Sequence, residues 1–268
     1  MHLGLLCLGD PAHAERHAAL VESAVAAEAL GLDTLWLAAP PVVLAAIAAR
    51  TERLRLGASV TPLAEHDALR VAEDYATLDG ISNGRIELFA GPGPLADPRP
   101  DSGRATDPGR ARFRESLELL RRLWTETDVR WSGRFRTPLD GVTVEPHPVQ
   151  QPHPPLWIGD GSSASAADLA AEFGLPLLLP SVAAGARELA PLIERYRERF
   201  AGSGAPRVGA WCSVREGGAA LSDRVAESRE ALGLQLFLLR VEPAAMPERE
   251  TAGALEELAS LAARGAVR

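Results

Sequence analysis

The sequence contains no lysine: all 28 basic residues of the 268-residue chain are arginine. That absence excludes Schiff-base chemistry, lysine-anchored pyridoxal phosphate and the phosphate-binding lysine of a P-loop, because each needs a primary amine at the reacting centre. Any anion held by this chain is held by arginine, hydroxyls or backbone amides. Cysteine is nearly absent too. Cys7 and Cys212 are too few and too far apart for a disulfide framework or a thiolate metal site, so a reducing, cytoplasmic setting is expected. Excess positive charge is lacking: 36 acidic residues give a net charge of −8, which argues against a nucleic-acid groove or an anionic membrane as partner. Long apolar runs are missing as well, since the first one, at 3–8, is cut short by Asp10, and neither a signal peptide nor a membrane span is expected. The six histidines show no metal-ligand spacing, and Gly-x-Ser-x-Gly does not occur, so neither a metal centre nor a serine hydrolase is expected.

What is present is a regular alternation of short apolar runs and alanine-rich amphipathic stretches. Strands are expected at 3–8, 34–38, 54–60, 85–90, 155–158, 176–179, 207–213 and 235–240. Helices are expected at 13–30, 42–51, 68–79, 110–125, 163–173, 186–200, 219–232 and 248–264, with Gly31, Gly80, Gly174 and Gly233 as left-handed C-terminal caps. Short strands that are apolar on both faces suit a parallel sheet covered by helices. Eight such units in one chain of this length predict a single (β/α)8 barrel over residues 1–268. Segment 91–154 is much longer than the other crossovers, with a Pro/Gly-rich loop at 91–109 and a short hairpin within 129–145.

In such a barrel the site lies at the C-terminal ends of the strands. Gly159-Asp-Gly-Ser-Ser163 follows the fifth barrel strand and opens a helix, so Gly161, Ser162 and Ser163 offer amides and hydroxyls to a phosphate; the same residues also read as an ordinary turn with a serine cap. Gly91 permits close approach of a flat ligand to the backbone, and Ser59-Val60-Thr61 places hydroxyls at the barrel mouth. His13 and His66 fall in loops after the first and third strands, where either serves as a general base or is merely solvated. Trp36, Trp157 and Trp211 lie on barrel strands, as core or as the wall of an apolar pocket.

Longer motifs add a resemblance. Thr51-Glu-Arg-Leu-Arg-Leu-Gly57, Leu78-Asp-Gly-Ile-Ser-Asn-Gly-Arg-Ile86, Arg112-Phe-Arg-Glu-Ser-Leu-Glu-Leu-Leu-Arg-Arg-Leu-Trp124 and Pro148-Val-Gln-Gln-Pro-His-Pro-Pro-Leu-Trp-Ile-Gly159 occur in the order seen in bacterial luciferase-like flavin monooxygenases. The sequence resembles that family well over 1–200 and loosely beyond. The resemblance implies a (β/α)8 barrel that binds reduced FMN, supplied by a separate reductase, or in sister branches the deazaflavin F420. It implies flavin contacts from Ser59, Val60, Gly91, Gly161, Ser162 and Ser163, a non-prolyl cis peptide near Ser59-Val60, a small organic substrate and a homodimer. Two departures stand out. Relatives carry a histidine-bearing catalytic loop after the second strand, where this chain runs from Trp36 through Ala38-Ala39-Pro40-Pro41 straight into a helix. They also carry a phosphate-binding arginine where this chain has Pro92, leaving Arg99, Arg104 or Arg110 to replace it. The seventh crossover is short as well. These losses raise the alternative of a flavin-binding barrel or partner subunit without catalysis.

Overall fold

A computed structural model describes residues 1–7, 15–92, 108–159, 164–214, 221–241 and 248–263. Eight parallel strands close into a barrel: β1 (His2–Cys7), β2 (Thr34–Leu37), β3 (Arg55–Pro62), β4 (Ile86–Gly91), β7 (Leu156–Ile158), β8 (Leu177–Ser181), β9 (Val208–Ser213) and β10 (Leu236–Val241). Strand β1 pairs with both β2 and β10, leaving no open edge, and the eight helices α1 (Glu15–Ala29), α2 (Pro41–Ala48), α3 (Ala68–Ser82), α4 (Pro108–Thr125), α5 (Ala164–Phe173), α6 (Ala186–Arg199), α7 (Leu221–Leu232) and α8 (Glu248–Ala263) form the outer ring. The expected TIM-barrel architecture is therefore present. Strands β5 (Val129–Trp131) and β6 (Leu139–Val142) make a separate antiparallel hairpin after α4, within the segment where the rhythm of the sequence breaks.

Alternation along each strand divides the apolar residues into two sets. Leu3, Leu5, Leu35, Leu37, Leu56, Leu88 and Leu239 pack against the helices, whereas Leu6, Trp36, Trp157, Leu178, Leu236 and Leu238 fill the barrel interior with Phe89 and Trp211 against them. Gly57 makes room for this filling: a Cβ there would run into the indole of Trp36. Trp36 meets Trp157 edge-on at 6.1 Å and Phe89 at 6.5 Å between ring centroids. The interior is thus a packed aromatic layer rather than a channel.

The turn chemistry holds at most helix ends, since Gly31, Gly174 and Gly233 all take positive φ after α1, α5 and α7. Gly80 does not. Helix α3 continues through it to Ser82, whose hydroxyl donates back to the Asp79 carbonyl at 3.1 Å, and Asn83 (φ 54°) takes the left-handed position instead. Asparagine tolerates that conformation, and Gly84 (φ 78°) then lets the chain turn into β4. Pro40 and Pro41 start α2 three residues after β2, as the missing loop required.

Candidate active site

Four strand ends build the described part of the C-terminal mouth. Ser59 is buried at the end of β3, the Ser59–Val60 peptide is cis, and Val60 is 44 % exposed. Gly91 ends β4, and a Cβ placed on it would lie 3.2 Å both from the Val60 Cγ1 and from the Gly159 carbonyl oxygen. Gly159 is constrained from the other side, because a Cβ there would meet the ring of Phe89 at 2.9 Å. The structure therefore brings Ser59, Val60 and Gly91 together with Gly159, over the aromatic layer of Trp36 and Phe89. Only glycine fits such a crowded junction without displacing its neighbours.

Beside this junction, Pro92, Arg110, Phe113, Ile158, Gly159 and Ser165 line a cavity of about 240 Å³ between the ends of β4 and β7 and the first turns of α4 and α5. Arg110 reaches across it and donates to the Ser165 hydroxyl at 2.6 Å. Of the three arginines considered in place of the residue lost at Pro92, Arg110 thus stands at the start of α5; Arg99 and Arg104 lie outside the described residues. So do His13, Gly161, Ser162 and Ser163. Arg114 frames the same cavity and forms a two-pronged ion pair with Glu172 at 2.6 and 2.5 Å, which holds the Glu172 carboxyl below its usual range.

The opposite side of the mouth carries features not singled out in the sequence. Arg240, next to last in β10, stacks its guanidinium over Trp211 at 5.0 Å, one register step from Ser213. Phe89 contributes to the wall. Alternation from Leu236 and Leu238, both inward, would have pointed to Arg240. Cys7 ends β1 at this mouth, and burial pushes its thiol up to about 12, so it stays protonated at neutral pH and is no thiolate nucleophile. Tyr75 is likewise raised to about 12 by burial and lies 3.4 Å from the Thr61 hydroxyl.

His66 is placed elsewhere. It is exposed and lines a cavity of about 250 Å³ with Asp67, Arg112, Glu115, Phe135 and Arg136, outside the barrel between α3, α4 and the hairpin. No lining residue is common to the two cavities. Among the described residues no group of three or more His, Cys, Asp or Glu is arranged to hold a metal, and no helix is long and apolar enough to cross a membrane.

Comparison with known proteins bears on this site. An F420-dependent glucose-6-phosphate dehydrogenase of Amycolatopsis mediterranei is 36 % identical over 151 residues, covering 49 % of this chain and 45 % of that one. The chain thus spans about half the length of the curated relatives it matches. Two solved structures share the fold along nearly their whole length. The oxygenating constituent of 3,6-diketocamphane monooxygenase from Pseudomonas putida, in complex with FMN, superposes with a TM-score of 0.72 at 16 % identity, covering 99 % of each chain. An F420-dependent secondary alcohol dehydrogenase with an F420–acetone adduct gives 0.72 at 15 % identity and 97 % of each. A family model described as luciferase-like monooxygenase matches residues 1–265, and the chain belongs to that family.

Proposed function

We propose that this protein is an oxidoreductase that binds reduced FMN at the C-terminal mouth of the barrel and, with dioxygen, monooxygenates a small organic substrate. One observation carries the reading: Val60, Gly91 and Gly159 converge so tightly that a side chain at either glycine would fill the space a flat ring needs. These residues and Ser59 would hold the ring system, while Gly161, Ser162 and Ser163 ahead of α5, joined by Arg110, would hold the phosphate with helix amides and a guanidinium. When bound, the reduced flavin supplies two electrons to oxygen chemistry. The protein orients it and keeps water out, with Trp36, Phe89 and Trp211 forming an apolar floor. A homodimer and a separate reductase that delivers reduced FMN belong to the same reading.

The 36 %-identical relative named for F420 supports a second reading, an F420-dependent oxidoreductase on the same mouth. Titration with FMN and F420, oxidised and reduced, followed by oxygen mixing and by light scattering for mass, separates the two. Tight binding of reduced FMN with oxygen- and substrate-dependent turnover is the expected result. Preference for F420 selects the second reading, binding without turnover selects a non-catalytic flavin barrel, and failure to bind either cofactor overturns all three. Ser162→Asp, which puts a carboxylate in the phosphate seat, is expected to abolish binding; unchanged affinity removes that seat.

A further inference from the structure

The other end of the barrel carries a cavity of about 810 Å³, lined by Arg55, Glu87, Arg207, Arg229, Pro155 and Leu234 among others. It opens at the N-terminal mouth, where Arg207 precedes β9, Leu234 precedes β10, and Arg55 begins β3. The chain as a whole is acidic at −8, yet Glu87 is the one carboxylate among the residues lining this cavity, against three arginines. Glu87 is already committed. One of its oxygens is in an ion pair with the Nε of Arg55, and the other accepts from the Trp157 indole N–H at 2.7 Å. Arg55 spends its remaining donors on the Gly84 carbonyl and on Gln150 at 3.1 Å. The charge of Arg207 and Arg229 is thus left without a lining carboxylate.

Arg207 is the decisive residue. Its guanidinium lies 4.9 Å from the centroid of the Trp157 ring, flat support that holds the fork in place without using any of its N–H groups. Among the described residues those groups donate no hydrogen bond, and Arg207 forms no ion pair. Trp157 is itself immobilised by Glu87 and by its edge-on contact with Trp36. A guanidinium held by stacking, with a second arginine across a roomy cavity and an apolar edge from Pro155 and Leu234, matches a multivalent oxyanion attached to an organic group.

We propose that this N-terminal mouth is a second binding site, for a phosphorylated small molecule of up to nucleotide size, with Arg207 and Arg229 as its anion-recognising residues. The site is separate from the flavin mouth, with the aromatic layer of Trp157, Trp36 and Phe89 between the two. Its ligand is recognised by arginine forks rather than by the amides of a helix terminus. Cofactor binding at the opposite end is neither needed for the site nor altered by it.

Inorganic pyrophosphate is the probe. Phosphorus NMR line broadening and calorimetry on the whole protein should show saturable binding, about tenfold weaker in Arg207→Gln and in Arg229→Gln, because each removes charge-assisted hydrogen bonds. Sulfate at matched ionic strength controls for general salt stabilisation. Should Arg207→Gln fail to fold, Arg229→Gln carries the test, since its exchange leaves the Trp157 stack intact. Absence of saturable binding, or equal binding in both variants, overturns the proposal. Citrate binding tighter than pyrophosphate overturns the phosphate class. Displacement of pyrophosphate by FMN would place the probe in the flavin mouth and overturn it as well, whereas a protein that binds no flavin but still binds pyrophosphate through Arg207 keeps this site and loses only the proposed cofactor.

Discussion

His153 is mostly buried beside Trp124, with ring centroids 5.9 Å apart, and its Nδ1 donates to the Pro154 carbonyl at 2.8 Å. Desolvation lowers its pKa below the ordinary 6.5, the Pro154 contact opposes that shift, and nearby Arg121 adds to it. The imidazole is therefore neutral in the folded protein where the unfolded chain would already take a proton. The sign follows: this contribution is fully present above about pH 6.5 and is lost as the pH falls from there toward the lowered folded value. Urea unfolding at a series of pH values from 8 to 5 should show stability declining below 6.5, and His153→Phe should flatten that part of the curve. A decline that survives the substitution would assign the proton uptake to another group. At the mouth, single residues were unevenly legible. Gly91 and Ser59-Val60 stand out because strand ends in a barrel point at the site, but Arg240 sits in a strand buried on both faces, where polarity no longer marks which side is inward.

The joint between α2, α3 and β4 depends on one guanidinium. Arg85 donates to the Ala48 carbonyl (2.9 Å) and the Thr51 carbonyl (2.9 Å) at the C-terminal end of α2, to the Leu54 carbonyl (2.8 Å) ahead of β3, and to the Ser82 carbonyl (2.6 Å) at the end of α3. Helix ends leave such carbonyls without intrahelical partners, and a planar fork satisfies several at once. Replacing Arg85 by methionine should cost about 3 kcal/mol in urea unfolding, and lysine should restore only part of it, since one ammonium cannot reach four carbonyls on three elements. An equal loss for both variants would mean that charge alone, not fork geometry, matters there. Elements of this kind were legible to within about two residues, because Pro41, Asp67, Gly31, Gly174 and Gly233 mark their ends by local chemistry. Gly80 misled because a glycine in mid-helix is tolerated where nothing packs on it; no atom lies within 4 Å of the Cβ it lacks. The contacts that join elements stayed hidden: Arg110 to Ser165 spans 55 positions and Gln150 to Asp79 spans 71, separations that no local pattern records.

The two mouths of the barrel are built from opposite chemistry, glycine and apolar side chains at one end and arginine around a single carboxylate at the other, and they should respond separately to substitution. Glu87, on the inner face of β4, is the test. It is 5 % exposed, pairs with Arg55 and accepts from Trp157, so removing it strands a buried cation and an indole N–H together. Breaking a buried pair from one side is costly, whereas replacing both partners by apolar groups of similar size often recovers the loss. Glu87→Leu should therefore destabilise the protein by about 4 kcal/mol in chemical denaturation, and Arg55→Met combined with Glu87→Leu should regain much of it. Flavin affinity of the folded Glu87→Leu protein should stay at the wild-type value, because Val60, Gly91 and Gly159 lie beyond the packed layer of Trp36, Trp157 and Phe89. A fall in flavin affinity that tracks the loss of the Trp157–Glu87 bond would instead show that this layer transmits strain from one mouth to the other, by letting the Trp157 ring tilt against Trp36 directly beneath the flavin seat.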